Sequence, residues 1–112
     1  MSKEIEEGNK LIAEFMGLHF HKTGWVDARH IDGNYECPEL KYHYSWDWLM
    51  PVVEKIESLE DGRFITTIET GYCVISDNGE NAIVEMQSDE TKIENTRLAV
   101  IKFIEWLNEQ TI

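Results

Sequence analysis

The stretch Ser45-Trp46-Asp47-Trp48-Leu49-Met50-Pro51-Val52-Val53-Glu54-Lys55-Ile56 decides where the core lies. It opens with a helix start. The Ser45 side chain is positioned to accept a hydrogen bond from the backbone of Asp47 or Trp48. Tyr44 and Leu49 have the spacing of a hydrophobic staple. Trp46, Leu49, Val53 and Ile56 then recur at helical spacing, and Trp48, Val52 and Leu59 widen that stripe. Pro51 falls on the other side, with Asp47, Glu54 and Lys55. There its ring removes one backbone hydrogen bond and should bend the helix around its buried face. Asp61-Gly62 ends the element.

Working outward toward the C-terminus, three strands are expected. Arg63–Glu69 and Tyr72–Ser76 are rich in β-branched and aromatic residues, and Ala82–Gln87 alternates Ala/Val/Met against Ile/Glu/Gln. Gly71 separates the first two. Asp77-Asn78-Gly79-Glu80, with the Asn-Gly pair of tight hairpins, separates the second and third. The pattern is an antiparallel meander. Thr91-Lys92-Ile93-Glu94 then reads as a capping box opening a helix that runs to about Glu109. Ile93, Val100, Ile104 and Leu107 share a face, Ala99, Phe103 and Trp106 adjoin it, and Leu98 and Ile101 extend it. A face this broad points to heavy burial, or to burial partly against a second copy of the chain, so a homodimer stays open.

Toward the N-terminus, Lys3 to Met16 reads as a helix carrying Ile5, Ile12, Phe15 and Met16 at helical spacing, with Gly17 as its stop. Glu4, Glu6 and Glu7 suit the positive end of its dipole. Gly8 weakens its middle by about 1 kcal/mol relative to Ala. Leu18–Tyr44 follows no period. Short strands are expected at Gly24–Ala28 and Asn34–Cys37, with Ile31-Asp32-Gly33-Asn34 as turn material. The fold expected is therefore a single α+β domain over residues 1–112: three helices packed on a small, mainly antiparallel sheet, in a sandwich-like αβα arrangement.

Composition narrows function more than it names it. The chain has 112 residues, enough for one core without staples. Its 22 acidic against 10 basic residues give a net charge of −12. That argues against direct nucleic-acid binding and against anionic membrane surfaces, and it allows basic partners. No apolar run approaches the ~18 residues of a bilayer span. The opening MSKEIEEGNK is charged, with no apolar region after it, so a signal peptide is not expected and the cytoplasm is. Cys37 and Cys73 read as free thiols in that compartment.

At Trp46–Ile56, at Thr96–Asn108 and at the opening Asn9-Lys10-Leu11-Ile12-Ala13-Glu14-Phe15-Met16-Gly17, the chain resembles small proteins of bacterial phages and mobile elements, those of the phage ABA sandwich domain. That group has a first helix ending in Met-Gly, a Trp-containing central helix, a short sheet and a closing helix. The resemblance implies a fold and a genomic habitat, and it implies no catalytic residues. Leu18–Tyr44 departs most from the pattern.

The residues themselves offer a few chemistries. His19-Phe20-His21, with Asp27, His30, Asp32, Cys37 and His43 close behind, carries ligand types that zinc accepts. No C-x₂-C or H-x₃-H pair accompanies them, and surface or capping histidines explain the set without metal. No glycine-framed elbow surrounds a serine, and no Walker loop or GxGxxG is present. No cofactor and no enzymatic activity are expected. The remaining signal is aromatic: Trp25, Tyr35, Tyr42 and Tyr44 in the aperiodic segment, beside His19 and His21, form a candidate interaction surface with Trp25 and Tyr35 as anchors. The expected function is that of a phage or mobile-element accessory protein acting by contact with an unknown protein. One rival is an acidic mimic of nucleic acid that occupies a DNA-binding host protein. The other is a metal-dependent enzyme using the His19–His43 segment.

Overall fold

The computed structural model describes residues 3–21, 24–27 and 40–110, and of 19–21 and 24–27 it describes the backbone. Among these residues the order is α1 (Lys3–Phe15), β1 (Leu18–His21), β2 (Gly24–Asp27), α2 (Trp46–Ser58), a 3-10 turn (Leu59–Asp61), β3 (Phe64–Glu69), β4 (Tyr72–Asp77), β5 (Asn81–Gln87) and α3 (Lys92–Gln110). It is an α+β fold, as the patterning predicts. β3, β4 and β5 form one antiparallel sheet in that order, and β1 pairs with β2 as a separate two-stranded ribbon.

The meander is set by its turns. Thr70-Gly71 closes a two-residue hairpin between the paired Glu69 and Tyr72, with Gly71 at φ +75°. Asn78 and Gly79 both take positive φ, 55° and 74°, which is why this dipeptide sits there. Alternation then divides the strands by face. Phe64, Cys73, Ile75 and Val84 are buried. Ile65 is 43% exposed. The pairing slips between Ile75 and Ser76, which oppose Val84 and Ala82, so Ile83 is an extra residue. β3 is an edge strand, and the Glu57 carboxylate of α2 accepts a hydrogen bond from its Thr66 backbone N–H at 3.1 Å. That occupies part of an edge that would otherwise offer itself to another strand.

α3 packs across the sheet and α2 packs on β3 and α3, while α1 lies against α3. Phe64 meets Phe103 edge-on at 4.9 Å between centroids, and Trp106 flanks both rings. Leu49, Val52, Val53 and Ile56 are buried, and Pro51 is exposed, as the helical stripe requires. Two details of the expected caps differ. Ser45 occupies the N-cap position of α2 but makes no side-chain capping bond; its carbonyl accepts from Leu49 at 3.0 Å. Tyr44 is 52% exposed, so it does not staple to the buried Leu49; its ring stands edge-on to His43 instead. At α3 the Thr91 hydroxyl accepts from the Glu94 N–H at 3.2 Å, as a capping box should. Glu94 does not reach back, because its carboxylate is engaged by Arg97 at 2.8 Å.

Candidate functional site

The polar residues 95–97 lie in the first two turns of α3, where the apolar stripe has a gap. All three are buried. Asn95 closes the entry to the helix: Ser88 Oγ donates to its Oδ1 at 2.5 Å, and its Nδ2 donates to the Ser88 and Glu90 carbonyls at 3.4 Å each. Thr96 Oγ1 donates to the Lys92 carbonyl. It also lies beside the thiol of Cys73, which burial pushes up in pKa and Thr96 pulls down. Cys73 is a free, buried cysteine, as expected. The second cysteine, Cys37, lies outside the described residues.

Arg97 turns the other way, into the seam with α1, and is 2% exposed. Its Nε donates to Asn9 Oδ1 at 2.9 Å, Nη1 to Glu94 Oε1 and Nη2 to the Ile5 carbonyl at 3.0 Å. A guanidinium has only donors, so the Asn9 amide orientation is fixed. Asn9 Nδ2 therefore faces the Leu40 carbonyl at 3.3 Å and His43 Nδ1 at 2.9 Å. His43 Nδ1 accepts there, so its ring proton sits on Nε2. One buried charge thus joins α1, α3 and the segment leading into α2. Gly8 makes room for it: a Cβ at that position would stand 2.6 Å from Arg97 Nη2 and 2.6 Å from Ile101 Cδ1.

Above this seam α1 and α3 leave a groove of about 390 Å³. Ile5, Leu11, Leu98 and Ile101, all half-buried, supply its apolar lining. Glu4, Glu7 and Glu105 stand exposed at its margin. Leu98 and Ile101, which extend the apolar face of α3, contribute the α3 side of this lining, and Ile101 also packs against the core. A second hollow of about 360 Å³ lies between α3 and β5, where Lys102 stands among Glu85, Glu105 and Glu109.

The candidate interaction residues separate. Tyr42 is not a surface residue: it is 3% exposed and packs edge-on against Trp48 at 5.3 Å. Its aperiodic segment suggests a surface position, but the chain re-enters the core at Leu40. His19, His21 and Trp25 lie on the β1–β2 ribbon, where His19 pairs with Val26, Phe20 with Trp25 and His21 with Gly24. Tyr35, and the expected strand Asn34–Cys37 with it, lies outside the described residues. The pairing of Asn9 with Arg97 and the α1–α3 groove follow from no local pattern in the sequence. The nearest signals are Gly8-Asn9 in mid-helix and the broad apolar face of α3. No protein-family model, no curated protein and no solved structure matches the chain. No described helix is long and apolar enough to cross a membrane.

Proposed function

We propose that this chain is a cytoplasmic accessory protein of a phage or mobile element that acts by binding a basic protein, without chemistry of its own. The observation that supports this most is how its cations are used. Arg97 is buried among Asn9, Glu94 and the Ile5 carbonyl. Arg63 is held by Asp77 at 2.7 Å and by Glu60 at 2.6 Å. Lys55 donates to the Phe15 carbonyl and lies over the Phe15 ring. These three cations are committed within the fold, and the chain as a whole carries a net charge of −12, so its surface is acidic. Such a surface repels phosphate and attracts Lys- and Arg-rich protein. The phage habitat rests on the resemblance in sequence.

The test is isolation of the tagged chain with its cross-linked partner from the native host, followed by reconstitution of the pair from pure components. A basic partner whose affinity falls with salt is expected. A partner that is acidic, or whose binding ignores salt, refutes the reading. The rival reading as a mimic of nucleic acid predicts the same partner charge, and competition by duplex DNA for that partner separates the two.

A further inference from the structure

We infer that the groove between α1 and α3 receives a basic amphipathic helix of the partner. This rests on the reading above, and it names the surface and the segment. The apolar part of the lining is half-buried, Ile5 and Leu11 from one helix and Leu98 and Ile101 from the other, and the buried Arg97, paired with Glu94, and Gly8 complete the floor. The parts of these side chains that remain solvent-accessible would be covered by an apolar anchor of a partner. The α3 wall from Glu94 to Glu105 spans about 16 Å at ~1.5 Å per residue, or three turns. A volume of about 390 Å³ suits a few inserted side chains. The walls are pre-organised, because Arg97 ties α3 to the Asn9 amide and the Ile5 carbonyl of α1.

Charge decides the occupant. Glu94 is already engaged by Arg97, but Glu4, Glu7 and Glu105 stand at the margin. Among the described residues Lys3 lies 3.9 Å from Glu7, and both groups are solvated. A helix with Leu-type residues on one face and Lys or Arg flanking them matches both the lining and the margin. A second copy of the chain would bring another −12 to the same rim, and an anionic ligand or lipid surface would be repelled by it.

The experiment titrates the full, isotope-labelled chain with a synthetic helix-forming peptide of about 14 residues built from Leu and Lys. Leu is spaced to form one face. The control is the same composition scrambled, so that charge is kept and the face is lost. The patterned peptide should bind at least tenfold more tightly, and amide shifts should cluster on residues 4–11 and 94–105. Leu98→Lys should weaken it at least tenfold. Glu7→Lys with Glu105→Lys, both at exposed positions, should do the same and flatten the salt dependence. That pair carries the test if Leu98→Lys unfolds. Equal affinity for both peptides, shifts centred elsewhere, or unchanged binding by the variants overturns the proposal. So does a wild-type dimer that Leu98→Lys dissociates, which would give the groove to a second copy. A native basic partner that binds wild type and both variants equally overturns the groove while leaving the general reading intact.

Discussion

Two seams hold this molecule together, and they are built on opposite principles. Between the helices and the sheet the contact is mainly apolar: Phe64, Ile75, Phe103 and Ile104 belong to one core with almost no exposed surface. Between α1 and α3, a buried arginine and a buried asparagine supply the contact, and the apolar side chains are only partly covered. Apolar burial is non-directional and tolerates many arrangements of similar volume. A buried guanidinium holding an amide, a carboxylate and a carbonyl at set angles tolerates one. The first seam gives stability. The second fixes how α1 sits on α3, and with it the shape of the groove.

The comparison is tested hardest by truncation in the apolar seam. Ile104 is 2% exposed between α3 and its neighbours. Ile104→Ala should cost roughly 2–5 kcal/mol in urea melts. A loss under about 0.5 kcal/mol would mean that this face of α3 is not the core.

The polar seam should answer differently. Asn9→Leu fills similar space but leaves Arg97 Nε, the Leu40 carbonyl and His43 Nδ1 without the amide between them. The expected loss is about 1–3 kcal/mol, because a buried group that loses its partner bears its full desolvation cost. Hydrogen exchange should rise at residues 40–44 and in the first turns of α1 while the sheet stays protected. In a double-mutant cycle with Arg97→Met, the two sites should couple by at least about 0.5 kcal/mol. Additive losses would show that the network is a set of independent contacts.

How far each seam was legible follows from the same contrast. The stripe Leu49, Val53, Ile56 and the alternation of β3 to β5 are periodic, and burial repeats with the period. Strand ends came within a residue or so because Gly71 and Asn78-Gly79 mark the turns by their positive φ. Asn9 and Arg97 are 88 residues apart and belong to no period. Polar residues on a helix read as its solvated face unless the partner is known. Tyr42 failed for the converse reason: an aromatic in an aperiodic segment looks available for binding until the chain is seen to return to the core. Trp25, His19 and His21 are placed on a ribbon by backbone pairing alone, and the pairing of Phe20 with Trp25 was not legible without it.

Gly8 offers a sharper probe of the polar seam than deletion does. Alanine in mid-helix normally gains about 1 kcal/mol over glycine. Here the added Cβ meets Arg97 Nη2 and Ile101 Cδ1, both at 2.6 Å. Ile101 is half-buried and has room to swing toward the groove, whereas Arg97 is held by its hydrogen bonds. Overpacking of about 1–3 kcal/mol should therefore outweigh the propensity gain, and Gly8→Ala should lower the denaturation midpoint by a net loss of up to about 2 kcal/mol. A variant more stable than wild type would show that Arg97 is free to move.

The smallest effect belongs to an ion pair outside both seams. Arg63 reaches across the β3–β4 pair, donating from Nε and Nη2 to the two carboxylate oxygens of Asp77 at 2.9 and 2.7 Å. That fork holds the Asp77 carboxyl below its ordinary pKa, through the hydrogen bonds first and the charge second. A carboxyl depressed in the folded state stabilises above its unfolded value, near ~4. The contribution fades as pH falls from there through the lower folded value. Asp77→Asn should thus reduce stability slightly at neutral pH, and the difference from wild type should shrink steadily below about pH 4. Both side chains are partly solvated, so added salt should shrink it too. Melts across that range in low and high salt check this. A difference that persists undiminished into acid would mean that Asn78 and Gly79, and not the charge, were what the substitution disturbed.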